Sequence, residues 1–240
     1  MEIFTFGDIN KEKVLLIHPM FTSADFFQSF IEKRKNDFFF IVPTLSGHGE
    51  NSTYVSTEQE ENTLCEFLKS NNIDHLNLVV GFSLGGNIAF DFFCKNADKI
   101  DKVVVDSAPL FRFPRLIKDH FYRKYKKCLN RVKANKANAA NELNKCFHGM
   151  GESQQHIAPL VTLDSLKGLI ESCYNNNQVN LSVDAQRKIV FVYGTKDIAR
   201  LCLRKIKKYK SSKLVILPNY NHCEFFMNNS DEYWERICKS

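Results

Sequence analysis

Short apolar runs recur along the chain, with longer mixed stretches between them. Residues 14–17, 38–42, 76–80, 102–105, 189–193 and 214–217 are rich in β-branched or aromatic side chains and are apolar on successive positions. That pattern predicts strands covered on both faces of a parallel sheet. Residues 3–6 alternate and predict one antiparallel edge strand. Residues 24–34, 57–70, 84–95, 198–209 and 231–239 read as helices between the runs. Repeated strand–helix alternation predicts an α/β fold with an open, mostly parallel sheet flanked by helices.

The alternation breaks once. From about residue 109 to residue 184 no core strand is legible, and the pattern turns helical and polar. In open α/β sheets, ligands bind outside the carboxyl ends of the strands. An insertion leaving from that edge is therefore predicted to roof the site. The expected division is a core of residues 1–108 and 185–240 with a helical cap of residues 109–184. The cap opens with a basic stretch: Arg112, Arg115, Lys118, Arg123, Lys124, Lys126, Lys127, Arg131, Lys133 and Lys136 stand against Asp119, interleaved with aromatic residues. This stretch is either a solvated helix face or a surface for an anionic lipid headgroup, a carboxylated substrate or a polyanion. No recognised nucleic-acid motif accompanies it, so no nucleic-acid partner is expected. Residues 134–144 read as a continuation of the helix, and Asn175-Asn176-Asn177 as a turn.

With 240 residues, 44% of them hydrophobic, the chain is long enough for one sizeable core. No leader-like segment opens it, and no apolar run has the length of a membrane span. The eight cysteines are scattered, without CxxC pairs or zinc-ligand spacing. They read as free thiols in a reducing cytoplasm. The net charge of +6 is modest, so its location matters more than its total.

The candidate chemistry lies at the ends of the predicted strands. The strand 76–80 runs into Gly81-Phe82-Ser83-Leu84-Gly85-Gly86, a strand–turn–helix in which Ser83 is lifted clear of the sheet edge. A serine hydroxyl needs a base to accept its proton. His222 leaves the strand 214–217 at the same rim. His75 precedes a strand at the wrong edge, while His120, His148 and His156 fall in the cap. Asp197 leaves the carboxyl end of 189–193 and is the candidate acid that orients His222, with an N-cap role as its other reading. Asp106, at the end of 102–105, is the rival acid. The loop His18-Pro19-Met20-Phe21 can supply an oxyanion donor beside the Leu84 N–H. Proline has no N–H, so Met20 is the first candidate and Phe21 the second. His18 reads as a brace for this loop.

These residues resemble the α/β-hydrolase fold family across essentially the whole chain. The resemblance rests on His18-Pro19, the Gly81–Gly86 elbow, Gly194-Thr195-Lys196-Asp197, Asn221-His222 and the Pro43–Gly49 loop, in that family's order of serine, acid, histidine. Two departures are Pro19, where the family usually has glycine, and Ser46 in place of a second proline. Room for one N-terminal edge strand implies about seven strands.

The resemblance implies a serine hydrolase of the carboxylesterase or lipase type, cleaving an ester or related acyl compound through an acyl-enzyme on Ser83. Phe21, Phe82 and Leu110 are candidate lining residues for a small-molecule acyl substrate. No metal or organic cofactor is called for. The alternatives are a cap-gated carbon–carbon hydrolase or lyase that binds a carboxylated metabolite through Arg112 or Arg115, and a non-catalytic binding module.

Overall fold

A computed structural model describes residues 1–147, 149–176 and 179–239. Seven strands form one sheet: β1 (Glu2–Phe6), β2 (Glu12–Ile17), β3 (Phe38–Thr44), β4 (Leu76–Phe82), β5 (Ile100–Asp106), β6 (Ile189–Gly194) and β7 (Lys213–Leu217). Their spatial order is β1-β3-β2-β4-β5-β6-β7. Among these described strands, β1 with β3 is the one antiparallel pair and the others run parallel. The central strands carry unbroken apolar runs at residues 14–17, 78–80 and 103–105 because each face of the sheet meets its own core. Leu15, Ile17, Val79, Val103 and Val105 pack on one side. Val14, Leu16, Leu78, Val80 and Val104 pack on the other. Only an element with helices over both faces needs such an uninterrupted run.

A 3-10 turn (Ala24–Phe27) leads into α1 (Gln28–Glu32), and α2 (Thr57–Ser70) and α3 (Leu84–Lys95) follow their strands. Between β5 and β6 lie α4 (Arg115–Ala134), α5 (Ala139–Phe147), α6 (Gly151–Gln154), α7 (Leu163–Tyr174) and α8 (Val183–Arg187). The described part of this segment contains no strand beyond an isolated bridge between Arg112 and Asn175. Asn87 on α3 ties the segment to the sheet layer by donating to the carbonyls of Cys173, at 2.9 Å, and Ser172, at 3.1 Å. The chain closes with a 3-10 turn (Ile198–Cys202), α9 (Leu203–Ile206), α10 (Glu224–Asn228), α11 (Ser230–Tyr233) and a π turn (Trp234–Cys238).

Several helices are more broken than their apolar spacing predicts. Residues 134–144 do not continue α4: the backbone turns at Asn135 (φ −142°, ψ 78°), and a separate helix starts at Ala139. Asparagine competes for backbone hydrogen bonds and so favours such ends. The C-terminal helix begins earlier than 231 and is interrupted at Asn229 (φ −141°). Residues 24–34 and 198–209 resolve into 3-10 turns joined to one short α-helix each. Asn177 of the expected 175–177 turn lies outside the described residues. Among the described residues, no helix is long and apolar enough to cross a membrane.

Candidate active site

The turn between β4 and α3 forces Ser83 into φ 54°, ψ −113°, a region that L-residues rarely occupy. The glycines beside it are required by close approach. A Cβ on Gly81 would run into the Gly85 carbonyl, and one on Gly85 into the Ile17 carbonyl. The Ser83 N–H donates to the Asp106 carbonyl at 2.8 Å, which pins the turn to β5. The serine is 9% exposed.

Ser83 Oγ lies 2.7 Å from His222 Nε2, and His222 Nδ1 lies 2.9 Å from Asp197 Oδ1. A carboxylate only accepts, so the Nδ1 proton belongs between the ring and Asp197. Nε2 is then left to accept from the serine hydroxyl. Burial works against the Asp197 charge, but the His222 ring and the Ala199 N–H outweigh it and hold the carboxyl below its usual range. Burial likewise opposes a charge on His222, yet the Asp197 carboxylate, by its charge and its hydrogen bond, lifts it above its ordinary value. Asp197 Oδ1 also caps the following turn, accepting from the Ala199 N–H at 2.9 Å. One carboxylate oxygen thus meets both the His222 ring and the turn that follows Asp197.

Asp106 is placed differently. Its carboxyl accepts from Ser107 Oγ at 2.7 Å. Burial, reinforced by the nearby Asp197, pushes its pKa up to about 7. The Ser107 hydroxyl also accepts the Cys223 N–H at 3.0 Å, so one side chain joins the end of β5 to the His222 loop. Ser107 and Cys223 both have positive φ, at 54° and 57°. Nothing in the spacing along the chain marks Ser107 for this role.

The His18–Phe21 loop is braced from within. His18 Nδ1 donates to the Pro19 carbonyl at 2.8 Å, and its Nε2 accepts the Leu45 N–H at 3.0 Å. Complete burial keeps the ring neutral. Phe21 has φ 68°. Among the described residues, no turn or loop backbone bond uses the N–H of Met20, Phe21 or Leu84. Gln154 on α6, a residue without a sequence signal, donates to the Met20 carbonyl at 3.0 Å.

The three candidate lining residues are enclosed. Phe82 is fully buried among Phe27, Phe226 and Tyr233, the Phe226 ring centroid lying 4.6 Å away. That is a core position, because a residue preceding the elbow serine points into the sheet's packed face. Phe21 is also fully buried and meets Phe147 of α5 edge-on at 5.4 Å. Leu110 packs into the same core. His75 pairs with Asp101 at 2.9 Å, on the strand-start side of the sheet. His120 and His156 are exposed, and His148 lies outside the described residues.

A family model described as alpha/beta hydrolase fold matches residues 13–226. A human serine hydrolase-like protein is 26% identical over 113 residues, which cover 44% of this chain and 54% of that protein. The chain thus spans about half the length of that curated relative. A carboxylesterase of Nitrososphaera gargenis superposes with a TM-score of 0.78 at 15% identity, over 99% of this chain and 92% of that one. A thermophilic esterase from Thermogutta terrifontis gives 0.74 at 16% identity, over 99% and 91%. At such identities the two structures speak for the fold. With a family model covering most of its length, the chain belongs to the alpha/beta hydrolase fold family.

Proposed function

We propose that this protein is a serine hydrolase of the carboxylesterase type, acting on a carboxylic ester or a related acyl compound. The observation that carries the reading is the continuous hydrogen-bonded chain from Ser83 through His222 to the buried Asp197, at 2.7 and 2.9 Å. Ser83 Oγ attacks the substrate carbonyl while His222 Nε2 takes its proton. The N–H of Leu84 and that of Met20 or Phe21 receive the negative oxygen, each donor contributing on the order of 3 kcal/mol to the transition state. His222 returns the proton to the departing alcohol. It then takes one from water as the water oxygen attacks the acyl carbonyl, and passes that proton to Ser83 Oγ as the acyl–serine bond breaks and the acid is freed.

Residues 109–184 act in this proposal as a cap over the site. The chemistry is complete without a metal or organic cofactor. The free cysteines fit a cytoplasmic setting. A carboxylate-binding arginine, as a carbon–carbon hydrolase or lyase would need, gains no support from Arg115, whose side chain is 92% exposed. Turnover of p-nitrophenyl esters of graded acyl length tests the reading. Hydrolysis that is lost in Ser83→Ala supports it. Absence of turnover across the series by folded protein contradicts it.

A further inference from the structure

Helix α4 carries eight cations and one acid, Asp119. Four of the cations are committed within the fold: Arg115 pairs with Asp119, Lys118 with Glu171 and Arg131 with Glu142, and Lys133 donates to the Val161 carbonyl. Arg123, Lys124, Lys126 and Lys127 form no ion pair among the described residues. A like-charged cluster without counter-charges repels itself, and only an external anion relieves that.

The same face carries apolar side chains. Leu116 is 80% exposed and Ile117 41% exposed. At helical spacing Leu116, Arg123 and Lys127 fall in one stripe, with Ile117 and Lys124 along its edge. The aromatic residues of α4 are turned the other way. Phe121 stacks on Tyr174 at 4.5 Å and also on Phe113, and the Tyr125 hydroxyl meets that of Tyr174. Nucleic-acid bases would require those rings as stacking platforms, whereas a lipid interface requires protruding aliphatic groups among cations. An open cleft of about 530 Å³ between Arg123, Lys126, Lys127, Asn130 and Arg131 has room for an anionic headgroup.

We propose that the outer face of α4 docks on an anionic lipid bilayer, with the cations on the headgroups and Leu116 and Ile117 in the acyl boundary. This does not depend on the hydrolase reading. The test is cosedimentation of the full chain with phosphatidylcholine vesicles containing about one-third phosphatidylserine, against vesicles of phosphatidylcholine alone. Binding to the anionic vesicles only, weakened by salt, is expected. Arg123→Gln combined with Lys127→Gln lowers the partition coefficient roughly 25-fold, about fivefold for each cation removed. Leu116→Ser lowers it roughly tenfold. These side chains are exposed, so circular dichroism and hydrolysis of a soluble ester stay unchanged. No sedimentation with the anionic vesicles, equal sedimentation with neutral ones, or undiminished binding by the double variant would each overturn the proposal. So would a single-stranded RNA oligonucleotide that binds more tightly than the vesicles and loses affinity in the same double variant.

Discussion

The side-chain amide of Gln154 donates to the main-chain carbonyl of Met20 at 3.0 Å, joining helix α6 to the loop after β2. All peptide bonds of the described chain are trans. The Phe21 N–H therefore points away from the Met20 carbonyl that Gln154 holds. Gln154 is only 2% exposed, so its hold on that peptide is sheltered from water. Residues from the segment between β5 and β6 thus set the orientation of a candidate oxyanion donor.

Replacing this amide should loosen the donor without touching the nucleophile. Gln154→Ala is expected to lower kcat roughly tenfold, short of the hundredfold or greater loss from deleting a donor outright. KM for a small ester should change little, since the interaction acts on the transition state. Gln154→Glu, which cannot donate when ionised, should behave like the alanine variant. Steady-state kinetics on both variants, with thermal unfolding as a control, measures this.

The pH dependence follows from His222. Its value lies well above 6.5 in the folded protein, and only the neutral ring accepts the Ser83 proton. Activity should therefore fall as pH drops, with the acidic limb of the kcat/KM profile centred above 6.5. Stability moves oppositely for this group. The gain from a raised histidine is fully present below its unfolded value and is lost as pH rises through the folded one. Asp197, whose folded value is depressed, contributes stability above its unfolded value and loses it as pH falls through the folded one. A pH–rate profile with the acidic limb centred below 6.5 would contradict the raised value of His222.

Two aspartates at the same rim should separate cleanly on mutation. Asp197→Asn leaves the shape but removes the carboxylate that fixes the His222 tautomer. A loss of about 10⁴-fold in kcat is expected. Asp106→Asn should keep most activity. Burial raises the Asp106 carboxyl from 3.8 to about 7, so the wild type loses stability as pH rises between those values. The asparagine variant escapes that loss. Its thermal midpoint relative to wild type should climb across the same interval, by an amount on the order of a few kcal/mol in free energy. Calorimetry at acidic and alkaline pH reads it directly.

Much of this architecture is legible from residue order alone, for a physical reason. The strands are buried on two faces, so their apolar runs are unbroken, and the elbow around Ser83 needs glycines that stand out locally. The sheet of about seven strands and the positions of Ser83, Asp197 and His222 at strand ends all follow from such local signals. What escapes is whatever depends on distant partners. Ser107 and Gln154 reach Cys223 and Met20 across 116 and 134 residues, and neither carries a pattern of its own. Phe82 reads as a lining residue beside the serine, but the turn at Ser83 sends its ring into the core against Phe226. The helix ends at Asn135 and Asn229 are set by single asparagines, which apolar periodicity does not register.

The nucleophile itself is open to direct chemical test. A fluorophosphonate reacts only with a serine whose hydroxyl is activated by a neighbouring base. Mass spectrometry of the labelled, folded protein should find the phosphonyl adduct on the peptide bearing Ser83. It should find no adduct in Ser83→Ala and a much slower one in His222→Ala. An unlabelled folded protein, or an adduct at another serine that survives Ser83→Ala, would contradict the account.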